Sequence, residues 1–224
     1  MPPLTEIRLR DTCRLIPSRY PPVGILDVVA SAEDLDLMFE LEGWTNDRIS
    51  AELGIVQRIP REEWVVGRPM ASVIMAAFCH PRPEGSRFNG SDRGAWYAAF
   101  TLRAAHGEAV FHRTEELAEI GVYETQVQMR LYLADFDAAF HDVRAGTKEN
   151  EPYHSPTSYN ASQRLARKLS DTGSNGILYR CVRSPGGECI ACFRPPLVGN
   201  ARPGAHFEYR WSGKPAPRIR RLGA

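Results

Sequence analysis

Apolar and polar residues alternate most cleanly near the middle of the chain, where Val127, Met129, Leu131 and Leu133 interleave with Gln126, Gln128, Arg130 and Tyr132. A period of two puts one set on each face of a strand, so a half-exposed strand is expected here. The same period recurs at Phe207, Tyr209 and Trp211, which alternate with His206, Glu208 and Arg210. Ile177–Val182 and Glu188–Phe193 flank the sequence Ser184-Pro185-Gly186-Gly187, whose turn chemistry predicts a hairpin. Cys13–Ile16 reads as a short strand stopped by Pro17 and the Pro21-Pro22 pair. Residues 71–78 (ASVIMAAF) form an unbroken apolar run of strand length, although a buried helical turn fits the same pattern.

Helical periods fall elsewhere. Ser31 and Asp34 resemble a capping pair ahead of Leu35, Leu37, Met38 and Leu41, with an end near Gly43, and Thr45 starts a second short helix through Leu53. Ser91 or Asp92 is expected to cap a long helix reaching about Leu117, packed through Ala95, Ala98, Ala99, Leu102, Ala105 and Ala109. Residues 159–171 read as a helix with Gly173 just past its end. Strands mixed with irregularly placed helices, without strict β-α-β alternation, indicate the α+β class. The expected layout is one domain over 1–212 with a helical insertion at about 31–54, and a flexible tail, rich in Pro and Arg, over 213–224.

A chain of 224 residues, 43% hydrophobic, can bury one full core. Its 28 basic residues against 27 acidic ones leave a net charge of +1, which gives no ground for binding nucleic acid or membranes through bulk charge. The basic tail residues Arg218, Arg220 and Arg221 lack an aromatic-lined surface that would make a nucleic-acid site, so direct nucleic-acid binding is not expected. There is no run of roughly 20 apolar residues and no apolar N-terminal segment, so a cytoplasmic protein without a membrane span is expected. The five cysteines have no regular spacing and read as reduced thiols. Cys189 and Cys192 form one C-x-x-C, but in a strand positions three apart face opposite sides, so two buried or edge thiols are expected and no metal site.

Candidate chemistry concentrates between Gly85 and Glu108 (GSRFNGSDRGAWYAAFTLRAAHGE). Arg87 lies between Gly85 and Gly90, where a guanidinium could fork onto phosphate and glycine would let a ligand approach the backbone; an ordinary surface arginine fits equally well. Tyr97 and Glu108, eleven residues apart on one expected helix, share a face but stand roughly 16 Å apart along its axis. An elongated ligand such as a dinucleotide, or a helix break at Gly107, would let one site use both; the plain alternative is a core tyrosine and a solvated glutamate. His106 and His112 flank the glutamate without metal-ligand geometry and read as non-catalytic.

The blocks CRLIPSRYPP, GSRFNGSDRGAWYAAF, AAHGEAVFH and GILYRCVRSPGGECIACFRP resemble, in order and separation, the successive blocks of the RES domain over roughly residues 12–198. That family is named for a characteristic arginine, glutamate and serine. The resemblance implies a fold like that of ADP-ribosyltransferase toxins. It also implies the toxin role in an Xre–RES toxin–antitoxin system and consumption of NAD as substrate, by glycohydrolysis, phosphorolysis or ADP-ribosyl transfer to a protein. No metal or bound cofactor is implied. Carried over by position, Arg14 matches the first family arginine, with Arg19 as the weaker choice, and Arg87 the second. Tyr97 and Glu108 match the family tyrosine and glutamate. The family serine falls in a Y-P-S-V-R context that here reads Tyr179-Arg180-Cys181-Val182-Arg183, so Cys181 stands at that position; Ser184 is at the turn and points elsewhere. A thiol is a weaker donor than a hydroxyl, so the expectation is either a weakened catalyst or a domain that binds NAD or antitoxin without turnover. The resemblance further implies an antitoxin partner with a helix-turn-helix region and a homodimeric toxin.

Overall fold

The computed structural model of the protein describes residues 1–18, 25–28, 31 and 59–223. Its architecture is built around the alternating segment singled out above, which runs much further than that pattern. Strand β3 spans Glu124–Asp142 and pairs along one edge with β1 (Leu4–Pro17), antiparallel from Leu4 opposite His141 to Pro17 opposite Met129. Its other edge is divided. Strand β6 (Gly199–Ser212) pairs with the first part, Glu124 to Asp135, and β4 (Gly176–Arg180) takes over in parallel at His141 and Asp142. Strand β4 forms the expected hairpin with β5 (Glu188–Cys192), β5 pairs with β2 (Trp96–Ala99), and β2 returns to β1 at Cys13 opposite Ala99. The strands β1, β2, β5, β4 and β3 therefore close into a ring, with β6 and β7 (Arg218–Arg221) continuing from β3.

Strand alternation divides the interior into two cores. Trp96, Ala98, Tyr132, Phe136, Phe140, Leu178, Ile190 and Cys192 lie in one, together with Leu26 of the short helix α1 (Ile25–Val28) and helix α2 (Ala71–Cys79). Their sequence neighbours Ala99, Met129, Leu131, Ile177, Tyr179, Cys189 and Ala191 lie in the other, under helix α3 (Leu102–Ile120) and helix α4 (Asn160–Ser170). The hairpin, the strand around Tyr209 and the helix following Tyr159 stand as the sequence pattern anticipates, and the α+β class holds. No helix among the described residues is long and apolar enough to cross a membrane.

Three expectations are corrected. Residues 71–78 are helical, not a strand: α2 buries Ala71, Val73, Ile74, Met75, Phe78 and Cys79, so nearly every side is apolar and no helical face pattern survives in the sequence. The long helix expected from Ser91 or Asp92 is instead β2 followed by α3. Thr101 is the true cap, its side chain accepting from Ala104 N at 3.2 Å, and Gly121, with φ at 68°, ends the helix. Alanines at 95, 98 and 99 suit a helix by composition, but Trp96 and Ala98 enter one core while Tyr97 and Ala99 face the other, which is strand geometry. The tail expected to be flexible contains β7, paired with β6 from Phe207 opposite Arg221 to Arg210 opposite Arg218. The helices expected at 35–43 and 45–53, and with them all of the 31–54 insertion except Ser31, fall outside the described residues, as does Arg19.

Helix α3 does not break at Gly107. A Cβ there would stand 2.8 Å from the Arg183 carbonyl oxygen and 3.2 Å from Ser184 Cβ, so the glycine is what lets α3 lie against the hairpin turn. Gly107→Val is expected to destabilise the protein by roughly 2–3 kcal/mol through overpacking against backbone. A urea midpoint equal to the parent's would show that helix and turn can separate at no cost.

Candidate functional site

A cavity of about 910 Å³ lies where β1 and β2 part. The two strands share the single paired position Cys13–Ala99. Beyond it the ladder is replaced by a side chain: Arg14 Nη1 donates to the Tyr97 carbonyl at 3.1 Å, and its guanidinium stands 4.9 Å from the centre of the Trp96 ring. Burial lowers the Arg14 pKa to about 10, although nearby Tyr97 and Tyr179 favour its charge. Arg87 reaches the same cavity from the loop before β2. It is 6% exposed, donates from Nη1 to the carbonyls of Tyr153 and Ser155 at 3.2 and 2.8 Å, and stacks 4.8 Å from the Tyr159 ring centre. It is thus a fixed cation, not the ordinary surface arginine that its local sequence allowed. Among the described residues neither Arg14 nor Arg87 has a carboxylate partner.

Tyr97 and Glu108 line this cavity together because strand β2 turns back into α3, not because they share a helix. The axial separation expected on a continuous helix therefore does not apply. The Tyr97 hydroxyl accepts from Phe88 N and donates to Asn89 Oδ1, both at 2.8 Å. It is engaged in holding the Arg87 loop, and its ring is what faces the cavity. Burial raises its pKa well above the ordinary phenol value, so the hydroxyl keeps its proton.

Glu108 meets the hairpin. Cys181 Sγ donates to Glu108 Oε1 at 3.1 Å and lies 3.9 Å from the Ala104 carbonyl, with its own backbone N bonded to Gly187 O at 2.8 Å. Cys181 is thus brought directly to the glutamate although it is not part of the cavity wall. The two halves of the C-x-x-C separate as expected. Cys192 enters the core on the other face, and burial pushes its thiol up to about 12. Cys189 instead faces Glu108 and Cys181, and one ligand atom from each of the three lies within 4.8 Å of the other two. Hydrogen bonding with Cys181, followed by burial, raises the Cys189 pKa well above the ordinary thiol value.

Several cavity residues have no sequence signal of their own. Tyr179 and Tyr159 supply aromatic walls, and His112, Arg82 and Arg113 line the end beside Glu108. Helical spacing from Glu108 points to His112, four residues on, once α3 is known to begin at Leu102. Its Nε2 is 3.9 Å from Glu108 Oε2, a geometry that would be an ion pair if the ring were charged. Burial, then the charges of Arg82, Arg113, Arg183 and Arg87, lower its pKa to about 4, so the ring is neutral near pH 7 and the contact carries no ion pair there. His106 is bound elsewhere, its Nδ1 2.5 Å from the Tyr209 hydroxyl.

The family profile described as the RES domain matches residues 55–212. An uncharacterized protein, y4oC, of Sinorhizobium fredii (strain NBRC 101917 / NGR234) is 27% identical over 217 residues, covering 94% of this chain and 87% of its own. Among solved structures, the Mycobacterium tuberculosis (M.tuberculosis) MbcT-MbcA toxin-antitoxin complex contains a chain that matches at 13% identity with a TM-score of 0.47, over 91% of this chain and 86% of that one.

The neutral His112 makes stability depend on pH. The unfolded chain takes up its proton near 6.5 and the folded one only near 4, so stability falls as pH drops through that window. In urea unfolding, the parent is expected to lose roughly 1–2 kcal/mol more than His112→Asn between pH 7 and pH 4.5. Equal losses in both proteins would show that His112 titrates normally.

Proposed function

We propose that this chain, which belongs to the RES domain family, is an NAD-consuming toxin of a toxin–antitoxin pair that cleaves the bond between nicotinamide and ribose. The observation carrying this reading is the convergence of Arg14, Arg87 and Glu108 on one cavity, the two cations without carboxylate partners among the described residues. Two guanidiniums suit a pyrophosphate, and the rings of Tyr97 and Tyr179 form a wall for the nicotinamide–ribose end. Glu108 faces C1′ of that ribose. As the C1′–N bond breaks, its electron pair leaves with the ring as neutral nicotinamide, and the carboxylate stabilises the positive charge left on the ribosyl group. Water or phosphate then adds to C1′; water gives ADP-ribose and a proton, and phosphate gives the 1″-phosphate of ADP-ribose.

Cys181 acts here as a positioning residue. Its thiol holds Glu108 Oε1, the service a serine hydroxyl would perform, through a weaker bond. That contact favours a working site over a silent one. NAD is the substrate, and no metal or bound cofactor enters the reaction. The family resemblance also supports an antitoxin with an Xre-type helix-turn-helix and a segment that fills the cavity, a homodimeric toxin, and action in the cytoplasm.

Purified protein is expected to release nicotinamide from NAD, and Glu108→Gln to do so at least about 100-fold more slowly. Cys181→Ser is expected to retain turnover, whereas Cys181→Ala loses several-fold, in line with one hydrogen bond of about 0.5–1.5 kcal/mol. Dependence on added phosphate identifies the acceptor. Adenylate label appearing on a protein would move the assignment to ADP-ribosyl transfer. Full turnover in Glu108→Gln would overturn the role given to the glutamate.

A further inference from the structure

The side chains that the C-x-x-C motif separates are replaced by a different pair across the hairpin. Cys181 lies just past the end of β4 and bonds through its backbone to Gly187, just before β5, while Cys189 pairs with Tyr179. The two thiols are diagonal neighbours on one face of an antiparallel ladder, the face that meets α3. Glu108 comes down on them from that helix. We propose that Glu108, Cys181 and Cys189 form a binding site for a thiophilic divalent cation, Zn²⁺ above all, which captures the Glu108 carboxylate as a ligand and thereby blocks the site. The blocking, though not the binding, rests on the NAD-cleaving role proposed for Glu108.

The donor set and its spacing fit such an ion. Zn²⁺ takes thiolate sulfur at about 2.3 Å and carboxylate oxygen at about 2.0–2.2 Å, so tetrahedral ligand atoms sit roughly 3.5–3.8 Å apart. The Cys181 sulfur and Glu108 Oε1 are already 3.1 Å apart, and all three ligand atoms lie within 4.8 Å of one another. Small rotations of χ1 on a fixed hairpin cover the difference. Three protein ligands leave the fourth position for water, and the cavity supplies both that water and a path of entry, because Glu108 and Cys189 are part of its wall. Two thiolates and a carboxylate soften toward Zn²⁺ or Cd²⁺ and away from Mg²⁺ or Ca²⁺, which prefer all-oxygen sets. Binding releases the two thiol protons to solvent, so it tightens as pH rises. The site is particular to a chain with cysteine at 181, since serine there would leave a single thiol.

Co²⁺ titration of the reduced full chain tests this directly, because thiolate ligation gives an intense ligand-to-metal charge-transfer band that carboxylate and water do not. The expected result is a band saturating at about one Co²⁺ per chain, displaced by Zn²⁺, and at least halved in intensity in Cys181→Ser and in Cys189→Ser. Circular dichroism establishes that each variant is folded. Should either fail to fold, alkylation of the parent followed by peptide mass spectrometry takes its place. Zn²⁺ is then expected to protect Cys181 and Cys189 while leaving Cys13, Cys79 and Cys192 unchanged. No thiolate band, a band of undiminished intensity in both variants, or no protection would overturn the site. Zn²⁺ is further expected to suppress nicotinamide release by at least about tenfold, reversed by a chelator. A thiolate band in a protein that never cleaves NAD leaves the metal site standing and removes the enzymatic reading. Turnover that is indifferent to Zn²⁺ at saturating band intensity removes the blocking.

Discussion

Helix α3 meets the β4–β5 hairpin through Ala104 and Gly107, and the closeness that these small residues permit determines where Glu108 stands in the cavity. A Cβ on Gly187 would lie 2.9 Å from Ala104 Cβ and 3.1 Å from Cys181 Cβ, and one on Gly107 would lie 2.8 Å from the Arg183 carbonyl. Two glycines, one on each element, therefore bring a helix into backbone contact with a turn. Glu108 follows Gly107 directly and is delivered to the Cys181 thiol by that contact. Larger residues at either glycine would lift the helix and draw the carboxylate away from its partner.

The second constraint is the parting of β1 from β2. A sheet whose strands stayed paired would have no cavity there. The ladder ends after Cys13 and Ala99, and the Arg14 guanidinium takes the carbonyl that a backbone amide would otherwise hold. Arg87 is fixed by the same logic, using two carbonyls of the 153–155 segment and the face of Tyr159. Both cations are anchored through neutral groups, so their charge is not cancelled by a neighbouring acid among the described residues. A neutral His112 adds to the contrast, since burial first and the surrounding guanidiniums second keep it uncharged, so it places no cation beside Glu108.

Much of this was legible in the sequence, and the parts that were not have physical reasons. The hairpin around Pro185, the α4 helix and the alternation through Met129 and Tyr209 are local signals, carried by turn chemistry and by sheets with unlike faces. Helix α2 was hidden because it is apolar on nearly all sides, and β2 because its alanines and tryptophan serve two cores at once. Strand β7 gives no apolar signal, as all four of its residues are exposed and three are arginine. The five residues singled out, Arg14, Arg87, Tyr97, Glu108 and Cys181, do converge, four of them on the cavity and Cys181 just behind Glu108. Their meeting depends on long-range pairing that no local pattern encodes. The proximity of Cys189 to Cys181 is of the same kind, since the sequence draws attention to Cys192 instead.

The proposed reaction requires that the cavity receive NAD with its scissile bond at residue 108. A crystal structure of Glu108→Gln soaked with NAD tests it most directly, because the substitution preserves shape while slowing cleavage. The pyrophosphate is expected on Arg14 and Arg87, with the nicotinamide ribose C1′ facing the residue 108 amide. Intact NAD bound elsewhere on the protein, or with its adenine at residue 108, would contradict it.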